Sequence, residues 1–259
     1  PKLSKPTPPP TLEAALASPD ADRWREAITD ELTSLAEKST YTLEALPPGA
    51  KAIPCKWVFD YKLNAAGSIT RFKARLVAKG FRQREGIDYT EVFAPVSKYT
   101  TLRALLAIAA AANWELHQLD IKTAFLNGTL SETIYIEQPP GYSNGDPTMA
   151  LRLHKSIYGL KQASRTWYET LADVLITAGY APSAADPSLF ISASGSAHLL
   201  VYVDDVLIAT PSTAECDRIR SLLLSSFEAR DMGPASLFLG MIITRDRAAK
   251  TIKLSQPRH

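Results

Sequence analysis

The sequence predicts an α+β fold built around an antiparallel sheet. Three observations carry that prediction. Short runs rich in β-branched and aromatic residues recur along the chain, as in CKWVFDYKL (55–63) and HLLVYVDDVLIAT (198–210). Several such runs are separated by only a few residues, which joins neighbouring strands as antiparallel hairpins. Between them lie segments whose apolar residues recur three and four apart, the pattern of helices with one buried face. Strands mixed with helices, with hairpins frequent, define the class.

Taken in order, residues 1–18 read as a Pro-rich linker, because Pro1, Pro6, Pro8, Pro9 and Pro10 favour extended polyproline geometry. The chain opens on Pro1 without an initiator Met, so it is expected to be a piece of something longer. An amphipathic helix follows, capped by Asp20 or Asp22, with Trp24, Ile28, Leu32 and Leu35 on one face. Residues 55–63 and 69–79 read as two strands joined by a turn at Asn64-Ala-Ala-Gly67. A helix starts near Thr100. Strands are expected at 117–121 (HQLDI) and 134–139 (IYIEQP), and a long helix at 164–178 with Trp167, Leu171, Leu175 and Ala178 inward. Residues 188–192 and 198–203 suggest a hairpin across Ser-Gly-Ser, followed by a strand at 206–210 and a helix at 213–228. FLGMII (238–243) and TIKLS (251–255) close the chain as a final hairpin.

Bulk properties narrow the class. Hydrophobic residues make up 46% and charged residues 22%, ordinary values for a globular chain. No apolar run approaches the ~20 residues needed to span a bilayer, so no membrane partner is expected. The run from Leu102 to Ala112 is better read as a buried helix. Cys55 and Cys216 match no zinc spacing and are too few for a disulfide framework, which points to a reducing compartment.

The most informative segment is HLLVYVDDVLIA (198–209), nearly continuous apolar strand broken once by Asp204-Asp205. Adjacent carboxylates between apolar strands repel each other, and burial disfavours their charged forms. A simple hairpin turn is one explanation, since Asp is a common turn residue. Yet no Gly, Asn or Pro stands there to make it, and a bound cation would neutralise the pair. Carboxylate oxygens suit Mg²⁺ or Mn²⁺. A second acid shows the same anomaly: Asp120, between Leu119 and Ile121, at the end of a strand. Three carboxylates on adjacent strands can hold two ions ~3.5–4 Å apart, the arrangement for in-line phosphoryl transfer.

Here the residues match a known family. The chain resembles the reverse transcriptase of copia-type LTR retrotransposons, from Trp24 to Leu254. KWVFDYKLNAAGSITRFKARLVAKGFRQREGIDYTEVFAPV resembles its fingers segment, LDIKTAFLNG its first catalytic motif, SIYGLKQASRTWY its second, YVDD its third, and FLGMII its primer-grip region. The resemblance implies a right-hand polymerase, with an N-terminal helix and fingers over 19–115 and a palm over 116–259, the two interleaving, and the antiparallel palm sheet backed by helices. It implies an RNA-directed DNA polymerase that joins dNTPs to a primer 3′-hydroxyl on an RNA or DNA template. Asp120, Asp204 and Asp205 would be catalytic and, with the Ile121 carbonyl, would hold two Mg²⁺ or Mn²⁺ ions. Phe125 would be a steric gate against the ribonucleotide 2′-hydroxyl, although its spacing alone favours an ordinary core aromatic. Gln162 would contact the nucleotide. Tyr202, Val203, Phe238, Leu239 and Gly240 would touch primer or template.

Between 56 and 84 stand eight basic residues and one acid, Asp60, against a net charge of +2 for the whole chain. Arg71, Lys73 and Arg75 alternate and so share one strand face. That face is either a charged edge protected from aggregation or a wall for phosphates. Lys62, Lys73 and Arg75 are the candidates for triphosphate contact. Lys155 and Lys161 lie near the second motif, and Gly159 would let backbone approach a ligand closely. Arg165 and Trp167 read as structural.

No thumb or RNase H region is visible in the sequence, and the Pro-rich start resembles the linker after integrase. Integrase and RNase H regions of one polyprotein are the implied partners. The implied location is intracellular, in a cytoplasmic virus-like particle or the nucleus. The alternative function is a truncated, non-catalytic nucleic-acid-binding remnant of such a polyprotein.

Overall fold

The structure is a computed structural model in which residues 6–64 and 68–256 are described. Among them the chain runs α1 (Leu12–Leu16), α2 (Ala21–Glu37), β1 (Tyr41–Ala45), β2 (Cys55–Leu63), β3 (Ile69–Ala78), α3 (Tyr99–Ala111), β4 (Glu115–Ile121), β5 (Thr129–Ile136), β6 (Met149–Lys155), α4 (Ala163–Thr177), β7 (Tyr180–Pro182), β8 (Leu189–Ser192), β9 (His198–Tyr202), β10 (Asp205–Thr210), α5 (Thr213–Ser226), β11 (Ala229–Pro234), β12 (Leu237–Phe238), β13 (Met241–Asp246) and β14 (Thr251–Ser255). Single 3-10 turns occupy Gly80–Arg82 and Ala124–Asn127. The sheets are antiparallel, as the hairpin pattern requires. Two compact units divide the chain, one of residues 1–92 and 125–166, the other of 93–124 and 167–259.

In the first unit α2 buries Trp24, Ile28 and Leu35, the face its apolar spacing marks. Trp24 meets Phe59, Tyr61 and Phe72 of the β2–β3 hairpin, ring centroids 4.6–5.2 Å apart. Asp20 is the N-cap by position, but its side chain makes no cap bond. Within the segment read as linker, Leu12–Leu16 form a helix capped by Thr11, and Ala15 is buried. A three-stranded sheet, β1-β6-β5, completes this unit. Ala65, Ala66 and Gly67 of the expected turn, and Pro1, lie outside the described residues.

The second unit holds a six-stranded sheet, order β11-β4-β10-β9-β8-β7. On one face α3 packs Leu102, Leu105, Leu106 and Ala109 against Leu116, Leu200 and Leu207. The small sheet β12-β13-β14 joins that core through Phe238, Met241 and Ile243. α3 ends in a Schellman-type turn: Asn113 has φ +54, and the Trp114 amide donates to the Ala109 carbonyl at 2.9 Å. Arg245 of β13 donates to the carbonyls of Trp114 and Ala109, satisfying the helix end. α5 buries Cys216, Ile219 and Leu223 and packs on β4, β10 and β11.

One expected element is corrected. FLGMII is not one strand: Phe238 pairs with Met241, and Leu239 (φ +50) with Gly240 (φ +76) forms a two-residue turn. Two positive φ values in succession match the right-handed twist of a tight hairpin, so the run folds back on itself.

Candidate active site

β9 and β10 form a hairpin in which Tyr202 is the partner of Asp205, leaving Val203 and Asp204 as a two-residue turn. The acids therefore make a turn without Gly, Asn or Pro, because Val203 adopts φ +53. A β-branched residue there is strained by on the order of 1–3 kcal/mol and persists only where neighbours enforce it. Trp167, buried in α4, supplies one constraint: its indole Nε1 donates to the Val203 carbonyl at 2.6 Å. The structural reading of Trp167 holds, and what it supports is this turn.

β10 pairs on its other edge with β4, where the Cα partner of Asp205 is Asp120. The Ile121 amide donates to the Asp204 carbonyl at 2.8 Å. That bond pattern makes Asp120 and Asp205 a non-hydrogen-bonded pair, with Cα atoms about 4.5 Å apart and side chains on one face. The Ile121 carbonyl leaves the strand on the same side as its amide, toward the turn. Both carboxylates are half-buried and Asp204 is exposed. Burial pushes the Asp205 carboxyl above its ordinary range; a 2.9 Å hydrogen bond donated by Gln118 opposes this, and the charges of Asp204 and Asp120 reinforce it.

Among the described residues no three His, Cys, Asp or Glu side chains converge as a metal-holding group. Three mutually repelling carboxylates have no reason to converge without a cation between them. The donor set nonetheless fits a hard divalent ion, since the donors are oxygens and the raised Asp205 gains directly from a nearby positive charge.

The first unit carries the other expected residues. On the β2–β3 hairpin Lys62 faces Arg71, Asp60 faces Lys73 and Val58 faces Arg75, so the basic residues share one face. Burial lowers the Lys73 pKa, and Arg75 and Lys62 lower it further. The Arg75 guanidinium lies 5.1 Å from the Tyr158 ring centroid, and its buried Nε has no hydrogen-bond partner among the described residues. Phe125, in the 3-10 turn after Ile121, meets the same Tyr158 edge-on at 5.0 Å. Tyr158, which the sequence did not single out, thus brings Phe125 and Arg75 together.

Several expected residues are placed otherwise. Gln162 is 2% exposed. Its Oε1 accepts from Gln83 at 2.9 Å, and its Nε2 donates to the Asp88 carbonyl at 2.9 Å and to Glu132 at 3.3 Å. Lys161 Nζ donates to the Tyr89 hydroxyl at 2.8 Å. Phe238 is fully buried in the core under α3, while Leu239 and Gly240 form the turn beyond it. Gly159 admits the chain's own backbone rather than a ligand. A Cβ there would lie 2.1 Å from the Ala78 carbonyl oxygen, and one on Gly80 would lie 2.1 Å from the Gly159 oxygen.

Comparison with known proteins identifies the family. The family model described as reverse transcriptase (RNA-dependent DNA polymerase) matches residues 38–259. The chain is 40% identical over 255 residues to the retrovirus-related Pol polyprotein from transposon TNT 1-94 of Nicotiana tabacum, covering 97% of this chain and 19% of that protein. It is 41% identical over 242 residues to the Pol polyprotein from transposon RE2 of Arabidopsis thaliana, covering 92% and 16%. A putative transposon Ty5-1 protein of Saccharomyces cerevisiae is 37% identical over 128 residues, 48% of this chain and 42% of that one. The chain thus spans under a fifth of the two plant polyproteins. On the family match and these relatives together, the chain belongs to the reverse transcriptase (RNA-dependent DNA polymerase) family.

Proposed function

We propose that the chain is the polymerase core of a copia-type retrotransposon polyprotein, extending a primer with dNTPs on an RNA or DNA template. The single observation that carries this reading is the facing pair Asp120–Asp205 beside the strained Val203-Asp204 turn. Like charges in the closest antiparallel pairing oppose folding, so their presence speaks for a positively charged ligand. Asp120, Asp205, Asp204 and the Ile121 carbonyl would hold two Mg²⁺ or Mn²⁺ ions. When bound, such ions supply positive charge that acidifies a primer hydroxyl and offsets charge on the phosphates. Gln118 holds the Asp205 carboxylate in orientation through its amide. Tyr202, in register with Asp205, and the stiff Val203 surface would support the primer end.

In the first unit Lys62, Lys73 and Arg75 would bind the triphosphate. The mutual repulsion around Lys73 would be relieved by an incoming phosphate. Phe125, braced by Tyr158, would exclude a 2′-hydroxyl. In this reading the first unit is the fingers and the second the palm. The other Pol regions of the relatives would be its partners in one polyprotein.

Incorporation of dTTP on poly(rA)/oligo(dT) with Mg²⁺ or Mn²⁺ tests the proposal, with Asp204→Asn/Asp205→Asn as the control. No incorporation by the unmodified chain, even at low salt and in a longer polyprotein segment, overturns it. Phe125→Ala should raise ribonucleotide use; unchanged discrimination would remove the gate assignment. One observation favours a second reading, a nucleic-acid-binding segment without catalysis: the basic face of the β2–β3 hairpin would bind phosphates without any metal site. That reading predicts salt-sensitive primer–template binding with no incorporation at any metal concentration.

A further inference from the structure

Glu31 stands where an apolar residue belongs. The buried stripe of α2 runs Trp24, Ala27, Ile28, Glu31 and Leu35, three and four apart, and Glu31 is only 7% exposed within it. A carboxylate there loses hydration that hydrogen bonds or opposite charge must replace. One replacement is backbone: Glu31 Oε1 accepts from the Leu76 amide at 3.1 Å. Among the described residues β3 has a single strand partner, β2, so the edge that carries this amide has no second strand to pair with. The other replacement is charge. Burial pushes the Glu31 carboxyl up, while the Leu76 amide, Lys73 and Arg75 pull it back.

The groups around Lys73 give that charge a use. Burial lowers the Lys73 pKa, Arg75, Lys62 and Arg71 lower it further, and Glu31 opposes them. Asp60 is the register partner of Lys73 on β2, but its Oδ1 accepts from the Tyr61 amide at 2.9 Å. Asp30, beside Glu31 on α2, pairs with Arg71 at 3.2 Å, both side chains being exposed and so screened by solvent. Glu31 is shielded, and its charge is screened far less. It is also fixed in place, because Trp24 of the same helix is locked among Phe59, Tyr61 and Phe72 of the hairpin.

We propose that Glu31 is a positioning residue for phosphate binding on the β2–β3 hairpin: its buried carboxylate anchors the open edge of β3 and is the fixed counter-charge of Lys73 and Arg75 while no phosphate is bound. The inference rests on the reading of Lys62, Lys73 and Arg75 as the triphosphate contact, and adds a residue that touches no substrate. Its charge acts in two opposite ways. A carboxylate near a bound phosphate repels it, yet the same carboxylate holds the proton on Lys73. At low pH Lys73 is charged with or without Glu31, so removing the carboxylate leaves phosphate binding equal or tighter. As pH rises, a Lys73 without its counter-charge loses its proton first, and binding weakens first. The two pH profiles therefore cross, which a purely structural role for Glu31 does not produce.

The test is calorimetric binding of inorganic tripolyphosphate in EDTA, from pH 6 to pH 10, to the unmodified chain, Glu31→Gln, Glu31→Asp, Lys73→Gln and the Glu31→Gln/Lys73→Gln double variant. EDTA keeps bound metal out of the measurement. Glutamine still offers Oε1 to the Leu76 amide, so the urea midpoint of Glu31→Gln should equal or exceed that of the unmodified chain. Its tripolyphosphate Kd should be equal or lower at pH 6 and roughly tenfold higher at the alkaline end, the scale of one charge-assisted contact. Glu31→Asp, which keeps the charge, should retain the alkaline limb of the unmodified chain. Parallel profiles for Glu31→Gln and the unmodified chain overturn the assignment. So does an alkaline difference that survives in the Lys73→Gln background. Tripolyphosphate binding indifferent to Lys73→Gln removes the phosphate reading of the hairpin and this inference with it, whereas a sensitive Lys73 beside an indifferent Glu31 counts against this inference alone.

Discussion

Asp120 and Asp205 face each other across β4 and β10 as a non-hydrogen-bonded pair, the closest approach an antiparallel ladder allows. The fold therefore carries an electrostatic cost at the place where chemistry is proposed. The folded-state pKa of Asp205 is raised, first by burial, so its contribution to stability is present in acid and lost as pH rises through the raised value.

Asp205→Asn should consequently abolish incorporation while stabilising the metal-free protein at pH 8. Gln118 still has a partner in the amide, and the repulsion disappears. The gain should be about 1 kcal/mol, or about 2–4 °C in Tm for a chain of this size. Melting in EDTA from pH 4 to pH 8 checks it: the advantage of the variant should grow with pH and shrink when Mg²⁺ is added to both. A variant less stable than the unmodified chain at pH 8 would contradict the account.

Trp167→Phe isolates the bond that holds the strained turn. The ring still fills its buried site against Phe227, but the Val203 carbonyl loses its donor. The expected loss is about 1–2 kcal/mol in urea unfolding, with a larger fractional loss in kcat than in KM because the turn carries Asp204. A fall in stability with kcat intact would confine Trp167 to packing.

Gly159→Ala should be among the most damaging small substitutions. Its φ of +90 disfavours any Cβ, and the added carbon would meet the Ala78 carbonyl oxygen, which is backbone and cannot swing away. A loss of roughly 3 kcal/mol or more is expected, against about 1–2 kcal/mol for Gly195→Ala, which shares the positive φ (+72) but whose Cβ would meet open space. Equal urea midpoints for the two variants would show that the close approach is relaxed in solution.

These sites were unequally legible in sequence. The β2–β3 hairpin and the β9–β10 strands follow from alternation and apolar runs, which are local signals. So does the oddness of Asp204-Asp205. β11 was not visible: ARDMGP is polar and contains Gly and Pro, and its strand state comes from pairing with β4, more than 100 residues earlier. The environment of Gln162 was equally hidden, because its partners Glu132 and Gln83 lie 30 and 79 residues away. Resemblance supplied that residue a role facing the nucleotide, while its carboxamide is turned into the fold. The Val203 turn was obscured for a different reason. The local residues argue against a turn, and the Trp167 donor that helps impose it stands 36 residues upstream.

Asp231 gives a pH dependence of the opposite sign. Burial alone would raise its pKa, but hydrogen bonds from His117, the Gly233 amide and Arg220 outweigh it and hold the carboxyl at about 2. In the unfolded chain the group returns to 3.8, so the folded state favours the carboxylate. Its contribution is complete above that value and is lost as pH falls through about 2. Asp231→Asn should cost about 1 kcal/mol at pH 6, a modest figure because the side chain is 29% exposed and screened by solvent. The difference from the unmodified chain should narrow steadily between pH 4 and pH 2. Urea midpoints across that range decide the matter: a gap that stays constant down to pH 2 would mean that the carboxylate charge is not what ties β11 to α5.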